Sequence, residues 1–79
     1  MTNKDKYDNS FTAALAIDKK KLAKNLEYNS IQEWDSIGHM TLISELEKNF
    51  EISIETDDVI DFSSYKKGIS ILKKYKVDI

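Results

Sequence analysis

The sequence predicts an all-α fold, a small four-helix bundle with three longer helices, one short third helix and a long first loop. Three observations carry that expectation. Apolar residues recur at helical spacing in separate segments, only one short run alternates as a strand would, and no proline breaks the chain. Tyr7, Phe11, Ala14 and Leu15 fall at i, i+4, i+7 and i+8, which lines one face of a first helix from about Asn3 to Ala16. From Asp18 to Trp34 the pattern loosens. Leu22, Leu26, Ile31 and Trp34 are spaced irregularly among Lys and Asn, as in a loop pinned to a core at intervals, with a helical turn near Lys19 to Ala23. Ile37, Met40, Leu42, Ile43, Leu46 and Phe50 mark a second helix, opened by the capping candidates Asp35 and Ser36 and running to about Asn49. Ile52-Ser53-Ile54 alternates, but no second strand signal exists to pair with it, so it reads as an extended connection. Thr56 followed by Asp57 and Asp58 puts a capping hydroxyl and two carboxylates where a helix start favours them, giving a short third helix through about Asp61. Ser63 or Ser64 then caps a fourth, with Tyr65, Ile69, Leu72 and Tyr75 on one stripe and Lys73, Lys74 and Lys76 towards its C-terminal end. No stripe can be buried alone, so all must meet in one core.

Composition narrows the class. The 79 residues make a single domain, 1–79, and at 41% hydrophobic with three Phe, four Tyr and one Trp they are too apolar for disorder. The longest uncharged apolar stretch, Phe11 to Ile17, falls far short of the ~20 residues a membrane span needs, so no membrane insertion is expected. Without cysteine there is no disulfide framework and no thiolate site, and one His among scattered carboxylates gives no expected metal site. A core of this size supplies ~3–5 kcal/mol net, which leaves little for a deep catalytic cleft and disfavours a self-sufficient enzyme. The opening residues, Met1-Thr-Asn-Lys-Asp-Lys-Tyr-Asp, lack the apolar stretch of a secretory signal, so the expected address is the cytoplasm. The 12 Lys and 14 acids are unevenly spread. Residues 1 to 34 carry six Lys against five acids, residues 35 to 61 eight acids against Lys48, and residues 62 to 79 five Lys against Asp78, for segment charges of +1, −7 and +4. Such a middle third repels nucleic-acid phosphate and suits a basic protein surface, although a solvated helix face accounts for it as well.

The segment that carries chemistry is Trp34-Asp35-Ser36-Ile37-Gly38-His39-Met40. Behind it come Leu42, Ile43, Leu46, Glu47 and Phe50, then Ile52, Ile54, the acidic third helix and an apolar fourth. In this the chain resembles the acyl carrier proteins and related thiolation domains, whose signature is an Asp-Ser-Leu-like triplet opening the second helix. The resemblance runs from Tyr7 to Val77 and includes the long first loop. It implies an acyl-carrier-protein-like bundle in which Ser36 bears a 4'-phosphopantetheine arm through a phosphodiester, transferred from coenzyme A by a separate phosphopantetheinyl transferase. The arm's thiol would hold an acyl or aminoacyl group as a thioester. The implied partners are that transferase, an acyl- or aminoacyl-loading ligase, and acyltransferase or synthase enzymes, with the chain itself a non-catalytic monomer. Physical chemistry favours the same position. A serine at a helix N-terminus sets its oxygen beside unpaired backbone N–H groups and the positive end of the dipole, which favours an attached phosphate by ~0.3–1 kcal/mol.

The resemblance further implies that Asp35 assists the transferase and its metal. As a residue it reads as a helix N-cap, and both roles are compatible because a capping carboxylate keeps a second oxygen. Ile37 and Met40 are implied apolar contacts for partner enzymes, with Glu45, Glu47, Asp57, Asp58 and Asp61 as complementary charge. Helical spacing serves core packing for Ile37 and Met40 equally well, while Leu42, Leu46 and Phe50 read as core. Trp34, Gly38 and His39 depart from the commonest fatty-acid carrier pattern and look more like dedicated carriers outside housekeeping fatty acid synthesis, such as those tied to surface polysaccharides or specialised metabolites. Gly38 costs ~1 kcal/mol relative to Ala in a helix, so either arm or partner approaches the backbone closely there or the cost is tolerated.

Two other classes compete. Ser36 and His39 lie three apart on one turn beside Asp35, which suggests a miniature serine hydrolase. Against it, a helix N-terminus disfavours the imidazolium a general base becomes, and there is no nucleophile elbow. His39 then reads as a structural side chain at the core's edge. The other class is an unmodified helical adaptor that binds a basic protein surface through the acidic face.

Overall fold

Thr2 opens the first helix with a reciprocal cap. Its hydroxyl accepts from the Asp5 amide at 3.1 Å and its own amide donates to the Asp5 carboxylate at 3.3 Å. The computed structural model describes residues 2–22 and 25–79. Helix α1 spans Asn3–Leu15 and stops one residue before the expected end, because Ala16 turns into the left-handed region at φ 53°. A single 3-10 turn, Lys19–Lys21, follows where a helical turn to Ala23 is expected, and Ala23 lies outside the described residues. Helix α2 spans Ser36–Phe50, with Asp35 as N-cap and a left-handed Glu51 at φ 54° closing it. Residues 52–55 form a connection outside any helix or strand, and Ile54 is tied down by its amide donating to the Glu47 carboxylate at 2.8 Å. Helix α3 spans Thr56–Asp61 and helix α4 spans Tyr65–Lys74. Among the described residues there is no strand, only an isolated antiparallel bridge between Glu27 and Ser64.

Two local expectations are corrected. The N-cap of α3 is Glu55, not Thr56, because the backbone is still extended at Glu55 (φ −68°, ψ 153°), and no side chain caps that helix. On α4 the buried positions are Tyr65, Gly68, Ile71 and Leu72, while Ile69 and Tyr75 are only half-buried. The stripe is rotated towards a glycine because a methyl on Gly68 would overlap the Phe62 ring and the Tyr7 hydroxyl. Ser64 is the cap of α4, accepting from the Lys67 amide at 2.9 Å.

The stripes meet in one core built around aromatic rings. Tyr7 and Phe11 from α1, Trp34 from the first connection, and Phe62 and Tyr65 at the head of α4 are all buried. They pack largely edge to face, with centroids 5.0 Å apart for Tyr7–Phe11 and 5.3 Å for Phe11–Trp34, the geometry the ring quadrupoles favour. Leu42, Ile43 and Leu46 of α2 close the other side, while Phe50, expected in the core, is half-buried. Polar groups that enter are paired. Tyr7 donates to the Tyr65 carbonyl at 2.6 Å, and Tyr65 donates to buried Asp8, which Lys4 also reaches at 3.1 Å. Burial pushes the Tyr7 phenol up, and burial first and the Asp8 hydrogen bond second do the same to Tyr65. No helix among the described residues is long and apolar enough to cross a membrane.

Candidate functional site

Ser36 is the first residue of α2 and is exposed. Asp35 puts it there. With extended backbone, Asp35 accepts from the Gly38 amide through Oδ1 at 2.8 Å, and the His39 amide makes the first intrahelical bond to the Asp35 carbonyl at 2.8 Å. The amides of Ser36 and Ile37 come before any carbonyl a turn earlier could serve them, so they point out of the helix end beside the serine hydroxyl. Gly38 is explained by the chain itself. A methyl there would overlap the Glu33 carbonyl and press on Leu15, so the close approach is internal and owes nothing to an arm or a partner.

The Ser36 hydroxyl has one side-chain neighbour that sequence reasoning missed. Tyr28 places its phenol oxygen 2.9 Å from Ser36 Oγ. Periodicity offers no sign of this, because Tyr28 lies in the irregular first connection. The only available signal is a large aromatic next to Asn29, which takes a left-handed turn at φ 67°.

His39 does not serve Ser36. Its Nδ1 accepts from the Trp34 indole N–H at 2.9 Å, and its Nε2 lies 2.8 Å from the Val59 carbonyl, which can only accept. The ring is therefore the neutral Nε2–H tautomer, with both nitrogens occupied in bracing α2 to Trp34 and α3. Its ring stacks on Trp34 (centroids 6.1 Å apart) and packs edge to face with Tyr28 (5.3 Å). It is half-buried at the core's edge, as the structural reading has it.

Beside Ser36 on α2, apolar side chains are exposed. Ile37 is 79% exposed and Met40 57%, which settles both as surface residues, and Ile60 on α3 is 72% exposed. The His39–Val59 bond brings Ile60 beside the first turns of α2. An open hollow of about 230 Å³, lined by Tyr28, His39, Val59, Ile60, Phe62 and Ser63, lies between the two helices and the first connection.

The acidic residues expected to frame this surface divide. Asp57 and Asp61 are exposed on α3. Asp58 is not a surface charge: it is buried, 2.5 Å from the Lys74 ammonium, and accepts from the Tyr75 hydroxyl. The Lys74 hydrogen bond first, and Tyr75 second, hold its carboxyl below the ordinary carboxylate range. Glu47 is half-buried and spends a carboxylate oxygen on the Ile54 amide. Glu45 is nine residues, about two and a half turns, along α2 from Ser36 and so faces the other way. It lines a hollow with Lys6, Asn9, Ala13 and Asn49 against α1. Among the described residues, no group of three or more His, Cys, Asp or Glu is placed to hold a metal. Compared with known proteins, the chain matches no family model, no curated protein and no solved structure.

Proposed function

We propose that this chain is an acyl carrier domain of the acyl-carrier-protein type, modified on Ser36 with 4'-phosphopantetheine and handed between partner enzymes. The observation that carries the reading is the exposed Ser36 hydroxyl on the first residue of a fifteen-residue helix. The residues present fit such a group. Ser36 supplies the attachment oxygen, the first-turn amides and the dipole of α2 favour the phosphodiester charge, and Asp35, capping with one oxygen, is exposed. When bound, the arm supplies a thiol that holds an acyl or aminoacyl group as a thioester, which is why a chain without cysteine can do this work. Ile37, Met40 and Ile60 offer apolar contact to the transferase and to loading and acyl-transferring enzymes, with Asp57 and Asp61 as flanking charge.

Asp57 and Asp61, exposed on α3, favour a second reading, an unmodified adaptor that binds a basic protein surface through the acidic face, and one experiment separates the two. Intact mass is measured after incubation with coenzyme A and a broad-specificity phosphopantetheinyl transferase, beside Ser36→Ala. The carrier reading expects a single pantetheine-sized gain that is absent in the variant. No gain with a transferase active on a control carrier leaves the adaptor. A hydrolase draws no support from the site, because Ser36 is paired with Tyr28 while His39 is engaged elsewhere.

A further inference from the structure

Tyr28 belongs to the first connection, yet its backbone is held from two sides. Its amide donates to the Ser63 carbonyl at 2.9 Å, the Tyr65 amide donates to the Leu26 carbonyl at 2.9 Å, and Glu27 bridges Ser64. On the other side the Asn29 amide donates to the Trp34 carbonyl at 2.9 Å, and the Ser30 hydroxyl closes back on the Glu27 carbonyl at 2.6 Å. The ring is set edge-on against His39, at 5.3 Å and 72°, and against Trp34, at 6.4 Å and 86°. A turn fastened to the head of α4, with its ring wedged against two others, delivers one phenol to one serine. Two exposed hydroxyls gain little from each other in water, so the pair has no evident stabilising purpose.

We propose that Tyr28 is a positioning residue for the group attached at Ser36. Resting on the carrier reading above, its phenol selects one rotamer of the serine hydroxyl before modification and afterwards donates to a non-bridging oxygen of the phosphodiester. Esterification joins Ser36 Oγ to the pantetheine phosphorus as the pyrophosphate bond of coenzyme A breaks and its 3',5'-ADP half leaves. Oγ loses its proton and becomes a weak acceptor, while charged oxygens arrive one bond further out, within reach of a donor that stands 2.9 Å from Oγ. The α2 amides face those oxygens from the helix side and Tyr28 faces them from the first connection. Because Tyr28 also lines the hollow shared with His39, Val59, Ile60 and Phe62, its hydrogen bond turns the first bonds of the arm towards α3.

The test compares wild type with Tyr28→Phe, which keeps both ring contacts and removes only the hydroxyl. Both are modified with coenzyme A and the transferase, then examined by phosphorus NMR and by NOEs between the ring at position 28 and the arm. A short phosphopantetheinylated serine peptide is the reference. Wild type is expected to show a phosphodiester resonance displaced from the peptide's and clear ring-to-arm NOEs. In the variant the resonance moves to the peptide position and the NOEs weaken, by no more than the roughly tenfold fall in the equilibrium constant that marks the low end for a hydrogen bond to a charged acceptor. Identical resonances and NOEs in the two proteins overturn the proposal. Should the variant fail to fold, the wild-type resonance against the peptide decides: coincidence overturns the proposal, displacement with NOEs supports it. Wild type that takes up no mass sinks the carrier reading itself, whereas modified wild type indistinguishable from the peptide sinks only the role of Tyr28.

Discussion

Tyr65 and Tyr28 each bring a phenol to a short polar side chain, one inside the molecule and one at its surface. Tyr65 donates to Asp8 among buried rings, with the ammonium of the exposed Lys4 3.0 Å from its oxygen, and burial leaves the Tyr65 and Asp8 side chains few waters to fall back on. Tyr28 meets Ser36 where both have solvent beside them. A phenol hydrogen bond is therefore worth different amounts in the two places, more so because one acceptor is a carboxylate and the other a hydroxyl. In the core it holds the fold, because unmaking it strands a buried polar atom. At the surface it is nearly free to exchange, which is compatible with the modification proposed at that oxygen.

That contrast can be broken from either side. The largest effect is expected from Asp8→Ala, which leaves the Tyr65 hydroxyl without its acceptor. A loss of about 2–3 kcal/mol in urea unfolding is expected, a large share of the ~3–5 kcal/mol that a core of this size supplies. A loss under about 0.5 kcal/mol would show that water replaces the carboxylate and that the two tyrosines do not differ in kind. Next is the acid limb. Asp58 has its carboxyl held below the usual range, so its contribution is present above the ordinary carboxylate pKa and is lost as pH falls through the lower folded value. Wild type should lose thermal stability below about pH 4, and Asp58→Asn, less stable at neutral pH, should lose less over the same interval. Parallel acid limbs would mean that Asp58 is not titrating in the fold. The smallest effect on stability is expected from Ile37→Ser and Met40→Ser, within about 0.5 kcal/mol of wild type, because both side chains are already in water. Their effect should appear instead as slower modification of Ser36, and an unchanged rate would detach this apolar surface from the transferase.

Much of this molecule is written locally, and those parts can be read from the sequence. The start of α2 follows from Asp35 and Ser36 standing before an i, i+3, i+4 pattern, and the candidate site is read from the same residues. The ends of α1 and α2 are nearly as legible, offset only where Ala16 and Glu51 adopt left-handed backbone. What escaped depends on partners far along the chain. Asp58 turns inward because Lys74 and Tyr75, sixteen and seventeen residues on, are brought beside it. Gly38 and Gly68 are required by a carbonyl and a ring that only the folded chain delivers. Tyr28 is the clearest case, since its position is set by hydrogen bonds to Ser63 and Tyr65 and no periodicity marks the loop it occupies.

The stitching of the Leu26–Ser30 turn to residues 63–65 has a temporal side. Ser36 exists as soon as the first half of the chain does, but the neighbourhood that frames it is finished only when the head of the last helix docks. If Ser36 is modified as proposed, an enzyme that recognises this completed neighbourhood acts on the finished fold and not on a half-made chain.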